Sequence, residues 1–237
     1  MKNVYYENFL KYSNYVNNKT FNSYTELVEG VSKLNISKEE NLKDRKAMVM
    51  FGFSGNGKTT WINSFCKSNP DYVILSMDSI VKEISNKLGR QVKDEEIIIG
   101  FSEQLDELCC NGKNIVVDGN FLNLLTRMAL VDSLHTYGYE VSLVNITPIF
   151  DITIKKRIMS EASRVMGVPI NEYNISMYQD KPTFVAMEKR VREYHNYERI
   201  SASYDEQVLL DAVSFGVENV IVVDKNYKSD NIDKKKI

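Results

Sequence analysis

Residues 47–63 read AMVMFGFSGNGKTTWIN, and within them Gly52, Gly57, Lys58 and Thr59 satisfy the spacing G-x-x-x-x-G-K-[ST], with Gly55 inside the loop. The run before the loop, Ala47 to Phe53, is apolar, β-rich and unbroken, as a parallel strand covered on both faces requires. The residues after it can continue as a helix. Glycines let successive backbone N–H groups curl inward around an anion, and the helix adds the positive end of its dipole. Lys58 can then reach the β and γ phosphates as a point charge. The Thr59 hydroxyl is placed to ligate magnesium, with Thr60 one position late for that task. A triphosphate site is therefore expected from Gly52, Ser54, Gly55, Asn56, Gly57, Lys58, Thr59 and Thr60, with ATP and Mg2+ as cofactors.

Outward from the loop, strands and helices alternate. After a helix to about Cys66, Asn69-Pro70-Asp71 turns the chain into an apolar strand, Tyr72 to Met77, which ends at Asp78. Helices follow near Ser79 to Leu88 and Asp94 to Cys110, the second stopped by Asn111-Gly112. A third strand, Asn114 to Val117, closes on Asp118, and Asn123 can cap a helix through about Thr136. Glu140 to Ile146 reads as the fourth strand, and a basic helix starts near Asp151. Helices then predominate until Val217 to Val223, the fifth strand. This pattern predicts an α/β protein, a P-loop NTPase three-layer sandwich with a central parallel five-stranded sheet and a helical lid. Ligands bind such sheets at the carboxyl ends of the strands, where strand order reverses. Asp78, Asp118 and the glycine loop would all converge there.

The expected divisions are a helical appendage over 1–45, the main domain over 46–224 with a lid near 157–180, and a charged tail over 225–237. In the appendage, Tyr5, Phe9, Tyr12 and Val16 share one helical face, and Ser23-x-x-Glu26 is a capping box opening a second helix. Packing against the main domain is its expected role, with a partner-binding arm as the alternative.

Composition narrows the function classes. With 237 residues, 43% hydrophobic and 26% charged, the chain can bury one sizeable core. No apolar run approaches the ~20 residues of a membrane span, and the N-terminus MKNVYYENFLKYSN lacks a signal-peptide centre. A cytoplasmic protein without membrane attachment is expected. A net charge of −2 and a pI near 5.8 argue against a broad nucleic-acid-coating surface, though a local basic groove is compatible with them. Cys66, Cys109 and Cys110 are an odd number, poorly arranged for a joint metal site. His135 and His195 are the only histidines, so a catalytic base is expected to be a carboxylate.

Asp78 follows the buried run VILSM and precedes a helix, so its carboxylate should emerge at the site rim and could accept a proton from an attacking hydroxyl. A helix N-cap or a ligand to magnesium-bound water is the alternative. Asp118 ends NIVVD as a Walker B acid does and would hold magnesium through water together with Thr59; a structural role is the alternative. Lys155, Lys156, Arg157 and Arg164 could close over the transferring phosphate on a lid, or form a solvated basic face. Arg164 is favoured because a planar guanidinium matches phosphate oxygens.

The segments GFSGNGKTTW, SMDSI, IVVDGNFLN, TYGYEV and VPINEYNISMY, in this order over about Met48 to Tyr178, together resemble the kinase domain of phage-type polynucleotide 5′-hydroxyl kinases. The resemblance implies Lys58 and Thr59 as phosphate and magnesium residues and Asp78 as the general base. It implies Asp118 and Asn120 beside the acceptor and Arg164, with Arg157, on the lid. That family carries an arginine three residues after the catalytic aspartate, where this chain has Val81 and then Lys82. A β-branched apolar residue cannot replace a bidentate guanidinium, and Lys82 points about 100° further around a helix. Lys82 nonetheless joins Asp78, Asp118 and Asn120 as a candidate acceptor-binding residue.

The expected function is thus phosphoryl transfer from ATP to a hydroxyl, with a 5′-hydroxyl end of RNA or DNA as the leading acceptor. A small-molecule acceptor such as a nucleoside, sugar or antibiotic, or a nucleotide-hydrolysing switch, is the alternative. On this reading Lys58→Ala should cut γ-phosphoryl transfer by about a hundredfold or more in a labelled-ATP assay. Near-normal transfer by that variant would contradict it.

Overall fold

The structure, a computed structural model, describes residues 3–34, 44–52, 57–119, 121, 123–146, 150–201 and 217–223. Strand β1 (Lys46–Phe51) is buried on both sides because its side chains divide between two layers. Ala47 and Val49 face one core, and Met48 and Met50 face the other. Beside it run β2 (Tyr72–Ser76), β3 (Asn114–Asp118), β4 (Glu140–Ile146) and β5 (Asn219–Val223). All neighbouring strands pair in parallel, in the order β2-β3-β1-β4-β5.

Register positions the chemistry. Met48 lies opposite Val116 and Val49 opposite Val117, while Ser76 lies opposite Asp118. The ends of β1, β2 and β3 therefore open at one edge of the sheet. From β1 the chain first builds toward β2 and then crosses to β4, so the order reverses at β1 and leaves a crevice there.

Helix α3 (Lys58–Ser68) covers one face of the sheet through Trp61, Ile62 and Phe65, with the Trp61 and Phe65 rings stacked at 5.0 Å. The opposite face carries α1 (Val4–Asn17), α2 (Tyr24–Ser32), α5 (Asp94–Cys110) and α6 (Leu124–Thr136) around a second core. Helix α4 (Met77–Leu88) packs on α5. Helices α7 (Phe150–Met166) and α8 (Pro182–Ser201) pair through a small core of their own, built on Ile158, Ala162, Ile170, Phe184 and Met187. No helix among the described residues is long and apolar enough to cross a membrane.

The strand expected over 47–53 ends at Phe51, because Gly52 turns with φ 130°. The strand expected to end at Met77 stops at Ser76, and Met77 already opens α4. The fifth strand starts at Asn219 rather than Val217. Asn123 caps α6 as expected, accepting from the Leu125 N–H at 2.9 Å. Ser23 caps α2, but the Glu26 carboxylate accepts from the Asn22 N–H rather than from that of Ser23. The expected tail over 225–237 lies outside the described residues.

Helix α1 is sealed against the main body. Tyr5 and Tyr12 are fully buried in the core shared with β1 and β3. The Tyr12 hydroxyl donates to Asp132 Oδ2 at 2.8 Å, and Asn8 Nδ2 donates to Ser133 Oγ at 3.0 Å. Lys11 Nζ stands 3.9 Å from the same Asp132 carboxylate. On the α5 side the Tyr6 N–H donates to Ser102 Oγ at 3.2 Å. Asp132 is 1% exposed, so these partners offset its lost hydration. Tyr12→Phe should therefore lower the unfolding free energy by about 1–3 kcal/mol in urea melts. An unchanged midpoint would show that this contact does not hold the helix.

Candidate active site

Helix α3 begins at Lys58, directly after Gly57, whose φ of 90° is a backbone conformation that side chains disfavour. The N–H groups of the first turn have no partner within the helix and are available to an anion. A cleft of about 590 Å³ opens in front of them, with Gly57, Lys58, Thr59 and Thr60 on its wall. Met77 and Asp78 at the start of α4, and Asp118 and Gly119 at the end of β3, line the same space.

Inside the cleft the polar groups answer one another. Lys58 is buried, and its Nζ donates to the Gly52 carbonyl at 2.8 Å. The Thr59 hydroxyl points at Asp118 Oδ2 across 3.4 Å. Both are hard oxygen donors of the kind Mg2+ takes. Among the described residues no cluster of three or more His, Cys, Asp or Glu side chains could hold a metal. Thr59 and Asp118 are the described residues here that could hold such a cation together with phosphate oxygens. Burial pushes the Asp118 carboxyl above its ordinary value and the charge of Asp78 adds to that rise, while Lys58 and the Thr59 hydroxyl act against it. The charge of Asp78 thus reaches Asp118 across the cleft.

Asp78 is the second residue of α4, whose N-cap position is Ser76, so it does not cap the helix. It is exposed on the cleft wall. Lys82 is exposed one turn further along α4, about 6 Å away from the helix start, and does not line the cleft. Val81 is half-buried. Ser54, Gly55, Asn56 and Asn120 lie outside the described residues.

The structure does not bring Arg164 to the cleft. Its guanidinium is 72% exposed and forks onto Glu161, at 2.9 Å and 2.5 Å. Arg157, half-buried on α7, is not on the cleft wall either. The α7 side chain that does line the cleft is Lys156. Helical geometry accounts for this: Arg157 and Arg164 are seven residues apart and share a face, which lies about 80–100° around from Lys156.

Other cleft residues escaped the sequence reading. Tyr5, Ile98, Phe121 and Thr126 line it, from α1, α5, the loop after β3 and α6. Phe121 holds φ 40°, and its ring stands where a side chain on Gly119 would fall, 2.5 Å from a Cβ built there. Arg127 secures this bend from below. It is 1% exposed, its Nη1 donates to the Phe121 carbonyl at 2.6 Å, and its guanidinium lies 4.6 Å over the Phe51 ring. A lone arginine inside the apolar helix run LLTRMALV was the available signal.

A glycine loop between β1 and α3, an acidic end to the adjacent β3 and the reversal at β1 define a P-loop NTPase fold. Residues 48–158 match the sequence profile of an AAA domain family. No curated protein sequence matches the chain. Among solved structures it is similar to a protein assigned as a kinase from Chloroflexus aurantiacus J-10-fl: TM-score 0.46, 11% identity, 80% of this chain and 95% of that one. It is similar as well to a gluconokinase from Sinorhizobium meliloti 1021: TM-score 0.44, 13% identity, 79% and 86% covered. A chain of the PezAT chromosomal toxin–antitoxin system of Streptococcus pneumoniae aligns with TM-score 0.42 at 17% identity, covering 91% and 85%.

The raised Asp118 carboxyl makes the ligand-free protein sensitive to pH. A folded-state value above the unfolded 3.8 means that this group's contribution is present below 3.8 and lost as pH rises through the folded value. Asp118→Asn should flatten that part of the melting profile and raise the ligand-free Tm at pH 7, while weakening Mg2+-ATP binding. Parallel Tm profiles for wild type and variant between pH 3.5 and 7 would contradict this.

Proposed function

We propose that the chain is an ATP- and Mg2+-dependent kinase that transfers the γ-phosphoryl group to a hydroxyl, with Asp78 as the base. The observation that carries this reading is the second carboxylate. Asp118 stands beside Thr59 where a magnesium ion would sit, and Asp78 opens onto the same cleft without being needed there. An attacking hydroxyl, whether water's or an alcohol's, calls for a proton acceptor in that position, and the resemblance over about Met48 to Tyr178 to 5′-hydroxyl kinases is what favours an alcohol here.

In this mechanism the first turn of α3 and Lys58 bind the β and γ phosphates. Thr59 and Asp118 would hold Mg2+, which when bound neutralises charge on the phosphate oxygens. Asp78 takes the hydroxyl proton as the acceptor oxygen bonds to the γ-phosphorus; the bond to the β–γ bridging oxygen breaks, and ADP leaves. Lys156, rather than Arg164, meets the charge spread over the transferring group. A cytoplasmic setting, where ATP is available, suits this activity.

A 5′-hydroxyl end of RNA or DNA is the acceptor favoured by the segments SMDSI, IVVDGNFLN and VPINEYNISMY. Val81 in place of an arginine, and Lys82 away from the cleft wall, weaken it.

With γ-labelled ATP and a panel of acceptors, Asp78→Asn should lower kcat by about 10²–10⁴-fold with ATP binding retained. Transfer at wild-type rate by the variant would remove Asp78 as base. Labelled free phosphate without any labelled acceptor, from the wild type, would favour the switch.

A further inference from the structure

Tyr5 sits on α1, far in sequence from the glycine loop, yet it lines the cleft together with Met77, Asp78, Ile98 and Phe121. It is 1% exposed. Its ring meets Phe101 edge-on at 4.9 Å, and Phe101 in turn lies 6.0 Å from Phe121. Tyr5, Phe101 and Phe121 thus form a continuous aromatic cluster from the leader helix to the loop after β3, of which Tyr5 and Phe121 reach the cleft and Phe101 backs them from the core.

The tyrosines around this cluster give their hydroxyl protons to protein acceptors. Tyr12 donates to Asp132 at 2.8 Å, Tyr137 to Asp106 at 2.9 Å and Tyr139 to the Lys113 carbonyl at 2.6 Å. The Tyr5 hydroxyl has no hydrogen-bond partner among the described residues, and its titration is shifted by burial alone. Buried phenols ordinarily find a partner. An unpartnered phenol held rigidly by its ring on the wall of a cleft is suited to a partner that the ligand brings.

The charges on the cleft wall narrow what that ligand can be. The described cations there are Lys58, already turned to the phosphate loop, and Lys156; no guanidinium lines the cleft among the described residues. Asp78 and Asp118 are both acidic, and the wall of Tyr5, Ile98 and Phe121 is apolar or aromatic. An acceptor bearing backbone phosphates would set negative charge against these carboxylates with few cations to meet it. An uncharged ring would be received by the aromatic wall.

We infer that Tyr5 is a specificity-determining residue that hydrogen-bonds the acceptor, and that the acceptor is an uncharged small alcohol carrying a planar ring. A nucleoside is the simplest probe of that class. The inference rests on the kinase reading above and narrows it.

The test offers wild-type protein γ-labelled ATP and Mg2+ with adenosine, thymidine, glucose, and 5′-hydroxyl octamers of DNA and RNA. Preferential labelling of a nucleoside is expected. Tyr5→Phe, which keeps the ring, should raise the nucleoside KM by about three- to tenfold, with the change confined to KM. Tyr5→Leu should raise it further, with its fold verified by a thermal melt. Unchanged nucleoside KM in both variants, or preferential labelling of the octamers or of glucose, would overturn the inference and leave the kinase reading standing. ATP hydrolysis without any labelled acceptor would remove both.

Discussion

In-register parallel pairing of β3 with both β1 and β2 is the constraint on which the site depends. Val117 lies opposite Val49 and Leu75, and Ser76 opposite Asp118, so the loop bearing Lys58, the Asp118 carboxylate and the start of α4 meet at one edge. A slip of one residue would move Asp118 by about 3.3 Å and send Val116 and Val117 to the wrong layers. Burying a large aliphatic side chain contributes about 1.5–3 kcal/mol. The alternating valines and methionines of these strands therefore fix the register far more strongly than the polar groups at their ends disturb it.

Those polar groups do disturb it. A half-buried carboxylate faces a second one, Phe121 bends through the left-handed region, and Lys58 is drawn out of water. Such features belong to sites shaped for a ligand rather than for stability. The surrounding layers offset them. Arg127 ties the Phe121 carbonyl to the end of β1, and the Tyr12–Asp132 and Asn8–Ser133 hydrogen bonds lock α1 onto α6. The leader helix is thereby part of the cleft's support as well as of its wall.

The sheet was readable because each of its strands is a short apolar run closed by a turn signal, and Gly52 and Gly57 mark the phosphate loop by spacing alone. Glu140–Ile146 and Asp94–Cys110 came out with the expected limits for this reason. The residues that complete the cleft were harder to read. Tyr5 looks in sequence like any residue on an apolar helical stripe, and only the packing of α1 against α5 and α6 brings it to the cleft wall. Arg164 promised a better phosphate ligand than Lys156, yet chemistry of type does not fix direction. The orientation of α7 sends Lys156 to the cleft and leaves Arg164 with Glu161. Phe121 carries no sequence mark of its positive φ, a bend that the room left by Gly119 and the Arg127 hydrogen bond accommodate.

On the proposed function, one cleft holds a triphosphate between Lys58 and a pair of carboxylates with different tasks. A crystal structure of the protein with Mg2+ and a non-hydrolysable ATP analogue tests it most directly. The terminal phosphate is expected against Lys58 and the first turn of α3, the metal beside Thr59 and Asp118, and Asp78 facing the γ-phosphorus from the side opposite the bridging oxygen. A nucleotide bound elsewhere, or Asp78 turned out of the cleft with no other carboxylate in line with the γ-phosphorus, would contradict it.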